Sequence, residues 1–147
     1  MDLARGDGAP FGTTNPATQC LPQGITRADI FSYAPFKIIQ APGEIVVLYE
    51  IDNTHRQIYT DGRKLPVDPQ PSWLGYSVGH WEGDTLVVDV TKQKADTWLD
   101  RAGNFHGAKL HVVERYTLMD HDHMQYEATL EDPDVYSRPW KISFPLY

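Results

Sequence analysis

The sequence predicts an all-β fold, an antiparallel barrel of about eight strands preceded by an extended N-terminal arm. Three observations carry that reading. Turn pairs recur along the chain at Pro42-Gly43, Asp52-Asn53, Asp61-Gly62 and Gly83-Asp84. The segments between them are short, rich in β-branched and aromatic residues, and alternate in polarity. No segment sustains a helical period beyond two turns, and Gly 11 with Pro 11 in 147 residues suits short elements joined by turns. A chain of hairpins must dispose of its edges, which closure into a barrel does best. About eight strands enclose an interior that is just filled or holds one small ligand.

The elements follow in order. Residues 1–35 carry four prolines and four glycines and read as the arm, with a helical turn near Thr26–Phe31. Residues 36–147 form one barrel domain. Phe36–Gln40 and Glu44–Ile51 flank Pro42-Gly43, and His55–Thr60 returns from Asp52-Asn53. Glu44–Ile51 is apolar on both faces and is expected to be buried on both. Pro66, Pro69 and Pro71 make Arg63–Ser72 a loop. Gly75–Glu82 and Thr85–Val90 form a tight hairpin. Thr91–Gly107 is a long polar loop over one barrel end, with a helical turn at Ala95–Arg101. Lys109–Met119 and Met124–Glu131 flank a turn at Asp120–His123, and Trp140–Leu146 closes the sheet. Trp81 and Trp140 are expected in the core, where truncation to Ala costs on the order of 3–5 kcal/mol.

Composition excludes several functions. Asp+Glu 20 against Lys+Arg 13 gives a net charge of -7, and the basic residues do not cluster, so nucleic acid is not an expected partner. The longest apolar run, Ile45–Tyr49, is too short to span a membrane as a helix. Cys20 is alone, which excludes an internal disulfide and a thiolate metal cluster. No signal peptide is present, and the expectation is of an export signal already removed.

Strand alternation shows which candidate residues travel together. Glu50 ends an apolar strand and Arg56 begins the next, so the two can pair across the hairpin. Glu114 interrupts the apolar row Leu110, Val112, Tyr116, Leu118; a buried acid must be paired or held neutral, and a raised pKa suits a general acid. His106, in the long loop, is the histidine placed to swing over a barrel mouth. The catalytic candidates are therefore Glu114, His106 and Glu50, with Arg56, Tyr49, Trp98 and Tyr116 as substrate-binding residues. His111 falls on the outward face. His121-Asp122-His123 with Glu127 fits the HxHxxxE spacing of a cupin metal strand, yet it falls in a turn without the bracketing glycines, so no metal and no cofactor is expected.

Several stretches, among them Arg56-Gln57-Ile58-Tyr59-Thr60-Asp61-Gly62-Arg63, Gly75–Thr85 and Glu114-Arg115-Tyr116, resemble an uncharacterised family of exported bacterial β-proteins. The likeness covers most of residues 20–145 and implies a periplasmic or secreted location. It implies no activity. The Trp81–Thr85 hairpin followed by a Glu-Arg strand is also similar to lipocalin-like barrels, which implies an internal cavity. The expected function is acid–base catalysis on a small organic substrate in that cavity. A non-catalytic binding protein for a small apolar or aromatic ligand and a cupin-like metalloprotein are the alternatives. A homodimer is compatible with the sequence.

Overall fold

The computed structural model describes residues 15–30 and 34–147. Residues 1–14 of the expected arm, and Phe31 of its helical turn, lie outside them. Eight strands form one strongly curled half-barrel sheet in chain order: β1 (Phe36–Ala41), β2 (Glu44–Tyr49), β3 (Thr54–Tyr59), β4 (Tyr76–Glu82), β5 (Thr85–Thr91), β6 (His111–Leu118), β7 (Met124–Glu131) and β8 (Trp140–Leu146). Neighbours are antiparallel except β3 and β4, which run parallel through Ile58 opposite Ser77 and Tyr59 opposite Val78. Among the described residues, the two outermost strands, β1 and β8, pair only inward, with β2 and β7. A short helix, α1 (Ile25–Ile30), is the helical turn of the arm.

Local chemistry sets the turns. Asp52 and Asn53 both take left-handed backbone angles between β2 and β3, which Asp and Asn tolerate better than other non-glycine residues. Gly75 ends the 60–75 crossover with φ +62, and a Cβ there would sit 2.6 Å from the Thr91 carbonyl oxygen. Ser72 holds the same corner, its amide donating to Lys92 O at 3.0 Å and its hydroxyl to Gly75 O at 2.9 Å. Gly75→Ala is therefore expected to cost about 2 kcal/mol or more, from backbone strain plus the collision. Urea unfolding checks this; an unchanged midpoint would mean that β4 tolerates a shifted start.

Alternation decides the core. Ile45, Val47 and Tyr49 of β2, Val88 and Val90 of β5, Val112 of β6, and Tyr126, Ala128 and Leu130 of β7 are buried together on the inner face. Ile25 and Ala28 of α1 join the same cluster. The outer face of β2 is not buried as expected: Leu48 is 40% exposed, because no element among the described residues covers that side. Trp81 also departs from expectation, at 50% exposure. It shares the inner side of β4 with Ser77 and Gly79 but sits at the open mouth, beside the Gly83-Asp84 turn, past the buried part of the strand. Trp140 packs against the core from β8. The Ala95–Arg101 segment is a run of turns, not a helical turn, held by a bridge between Trp98 and Phe105 and anchored by buried Leu99.

Candidate functional site

The inner face carries one buried charged network. On β3, alternation places Arg56 inward beside Ile58, opposite Val47 of β2. On β6 it places Glu114 inward between Val88 and Ala128, small apolar residues that leave room for a carboxylate. Glu114 and Arg56 are 0% and 2% exposed. Arg56 grips the carboxylate with both terminal nitrogens, Nη1 at 3.2 Å from Oε1 and Nη2 on Oε2. Its Nε donates to Ser77 Oγ of β4 at 3.1 Å. Burial works against the Arg56 charge, but the Glu114 carboxylate outweighs it and holds the guanidinium well above its usual range.

Three tyrosines and a second acid complete the network. Tyr126 donates its hydroxyl to Glu114 Oε1 at 2.8 Å. Asp29 of α1, buried, accepts from Tyr49 on Oδ1 at 2.8 Å and from Tyr116 on Oδ2 at 2.9 Å. Tyr116 also stands 3.2 Å from Glu114 Oε1 and receives Arg56 Nη1 at 3.3 Å. Burial, and then the nearby Glu114 charge, push the Asp29 carboxyl up to about 7, against the pull of Arg56 and the two phenols. Burial first, and the neighbouring carboxylates second, hold the hydroxyls of Tyr116 and Tyr126 well above their usual range, so they stay protonated donors.

Tyr116 has a single proton for two carboxylates. With Asp29 ionised, that proton serves Asp29 Oδ2. With Asp29 neutral, the acid's own proton can point to the Tyr116 oxygen, which frees the phenol proton for Glu114 Oε1. Both arrangements satisfy the same heavy atoms, so Asp29 can change charge without the network losing a partner.

Only part of this network is accessible. A cavity of about 280 Å³ opens on the inner face, lined by Phe36, Ile38, Ile45, Val47, Ile58, Leu86, Leu118 and Met124, with Trp81 at its mouth. Its buried polar wall is Asp29 and Tyr116; Gln40 and Asp84, both exposed, complete the lining at the rim. A recess of about 340 Å³ shares Asp29, Phe36, Leu118 and Met124 and extends to the β6–β7 hairpin and Tyr147. Arg56, Glu114 and Tyr49 line neither: they stand behind Asp29 and Tyr116 and fix them.

The expected site is therefore brought together in part. Arg56, Glu114, Tyr116 and Tyr49 meet. Glu50 does not join them: it is exposed in the β2–β3 turn, and Arg56 pairs with Glu114 instead because the β2–β3 register sets Arg56 opposite Val47. His106 is buried in its own loop, with Nε2 2.8 Å from Thr97 Oγ1 and Nδ1 2.9 Å from Gly107 O. Burial lowers its pKa, so it is a neutral, tethered imidazole and not one free to swing. Trp98 lies half-buried under the Arg27 guanidinium, 5.4 Å away, outside the cavity lining. His111 pairs with Asp89 at 3.0 Å. In the HxHxxxE stretch, His121 and His123 turn to Asp122 and Asp120 at 2.7 Å each, while Glu127 pairs with Lys141. No group of three His, Cys, Asp or Glu that could hold a metal ion occurs among the described residues.

Asp29, Tyr126 and Ser77 are the network members that the sequence pattern did not single out. Tyr126 had a signal, since period-2 alternation across the β6–β7 hairpin aligns Tyr126, Ala128 and Leu130 with Tyr116, Glu114 and Val112. Asp29 had none, lying in a six-residue helix of the arm 85 residues from Glu114. Compared with protein-family models, with curated proteins and with solved structures, the chain matches none.

Proposed function

We propose that the protein binds a small, largely apolar molecule in the inner-face cavity, with Asp29 and Tyr116 fixing its polar end. The observation that carries this reading is the cavity lining: an apolar wall around one buried carboxyl and one phenol that are held from behind. Small-molecule sites have this character, mostly apolar with a few placed polar groups, and the volume of about 280 Å³ falls just below their usual range of about 300–1,000 Å³, which suits a compact ligand. The Arg56–Glu114 pair serves as scaffold, preorganising Tyr116 so that binding need not order it. The resemblance to exported β-proteins supports a periplasmic or secreted location.

One observation favours a second reading, metal-independent acid–base catalysis on the bound molecule. A carboxyl that titrates at about 7 beside an apolar cavity is suited to give and take a proton near neutral pH. In that reading Asp29 is the acid–base group, and Tyr116 with Glu114 behind it is the proton's alternative station.

The test is a titration with N-phenyl-1-naphthylamine, an uncharged dye that brightens in apolar surroundings. The expected result is a saturable 1:1 rise that Ile38→Trp abolishes; Ile38 lines the cavity yet is 42% exposed, so a larger side chain fills space without crowding the core. A rise that Ile38→Trp leaves untouched, or no saturable rise, would contradict the proposal.

A further inference from the structure

The charge count around the cavity points to the class of ligand. The buried network holds two acids and one base, and Arg56 is committed to Glu114 through both terminal nitrogens. Asp29 is the surplus acid. Among the described residues, the cavity lining adds a second carboxylate at the rim, Asp84, and contains no Lys, Arg or His; the adjoining recess on Asp29 brings His121 and His123. A carboxyl that opens onto an apolar space without a counter-charge either holds a proton or takes a cation from the occupant.

Hydrogen-bond capacity agrees. Asp29 accepts one phenol on each oxygen, and each carboxylate oxygen can accept two bonds. One acceptor site per oxygen therefore remains for a ligand donor, and the cavity lining offers no cationic side chain among the described residues to use it. Three aromatic rings, Phe36, Trp81 and Tyr116, also belong to the lining, and ring faces attract cations in desolvated sites.

The geometry points to a protonated primary amine on a compact apolar or aromatic body as the preferred occupant, its ammonium bonded to Asp29 and its body against Ile38, Ile45 and Ile58. This rests on the cavity-binding reading above. Binding draws Asp29 into its ionised form: the Asp29 proton leaves to solvent, and the Tyr116 proton turns from Glu114 Oε1 to Asp29 Oδ2. The groups that face Asp29 during this change are Tyr49 of β2, Arg56 of β3, and Glu114 and Tyr116 of β6, with Tyr126 of β7 behind them; His121, Asp122 and His123 of the β6–β7 hairpin line the recess that Asp29 shares, and each is exposed. Amine affinity therefore rises with pH as Asp29 ionises.

Three probes of one shape test this: 2-phenylethylamine, 2-phenylethanol and phenylacetate, each followed by tryptophan emission or by calorimetry at pH 6 and pH 8. The amine is expected to bind at least about tenfold more tightly than the alcohol at pH 8, and phenylacetate most weakly. With Asp29 titrating at about 7, its ionised fraction goes from about one in eleven to about ten in eleven, so amine affinity should rise about tenfold from pH 6 to pH 8 while alcohol affinity does not. Asp29→Asn should remove the amine's advantage. If that variant does not fold, the ranking and pH dependence in the natural chain decide alone. Equal binding of amine and alcohol, pH-independent amine binding, or no amine binding overturns the inference. Alcohol or dye binding that Ile38→Trp blocks would then leave the cavity reading standing, and no binding of any probe or the dye would remove both.

Discussion

Glu114→Gln is expected to cost about 3–5 kcal/mol of stability, a large part of the roughly 5–15 kcal/mol that holds a domain together. The carboxamide keeps the volume but removes the charge opposite Arg56, whose side chain is 1% exposed and cannot reach water. Tyr126 and Tyr116 lose a charged acceptor as well. The penalty comes from stranding a cation, so removing both charges should recover most of it. Arg56→Met with Glu114→Leu is expected to approach the natural chain in urea-unfolding midpoint, far above Glu114→Gln alone. A Glu114→Gln midpoint within error of the natural chain would mean that the pair is solvated. Arg56 has Glu114 as its only carboxylate partner among the described residues, so no second acid takes over the charge.

The second large effect is a pH dependence with an unusual sign. Asp29 is raised from 3.8 to about 7 in the fold, so the folded chain holds its proton after the unfolded chain has released it. Its contribution is fully present below about pH 4 and is lost as pH rises through about 7, on the order of 4 kcal/mol in all. Ordinary paired carboxylates behave oppositely. Asp61, Asp68, Glu82 and Asp120 are lowered by their partners, so their stabilisation is lost only as pH falls below the ordinary carboxylate range. His106, lowered by burial, opposes Asp29 below its ordinary 6.5. The measurement is therefore a difference: urea unfolding of the natural chain and of Asp29→Asn at pH 5, 6, 7 and 8. The natural chain should lose stability relative to the variant at each step up to about pH 7. A difference that stays constant with pH would place the Asp29 carboxyl at its ordinary value in the fold.

The strands were legible because their signal is local. Alternating apolar residues between Gly, Pro, Asn and Asp turns mark β2, β6 and β7 wherever the chain goes next, and the Met124–Glu131 and Trp140–Leu146 boundaries need no tertiary information. The same alternation marked Glu114 as an acid in an apolar row and placed Arg56 on the opposite parity to His55. It could not assign their partners. Whether Arg56 meets Glu50 or Glu114 depends on the β2–β3 register and on how far the sheet curls, and both emerge from the whole assembly. The parallel β3–β4 contact spans only two residue pairs after a proline-rich crossover, which leaves no periodic trace. Asp29 was hidden for a related reason. A six-residue helix has almost no pattern, and its role comes from two tyrosines that lie 20 and 87 residues away. Trp81 shows the limit of alternation itself, which assigns an inner face but not how far along the strand that face stays covered.

Among the described residues, the network presents Asp29 to the cavity as a carboxyl that titrates near neutral pH. Carboxyl ¹³C NMR of the protein labelled at aspartate side chains tests this directly, with the Asp29 resonance identified by its loss in Asp29→Asn. The expected midpoint is about 7 for the free protein, moving down when 2-phenylethylamine is added. A midpoint near 4 that is unmoved by the amine would contradict it, because Asp29 would then be an ordinary solvated carboxylate and not the wall of a binding site.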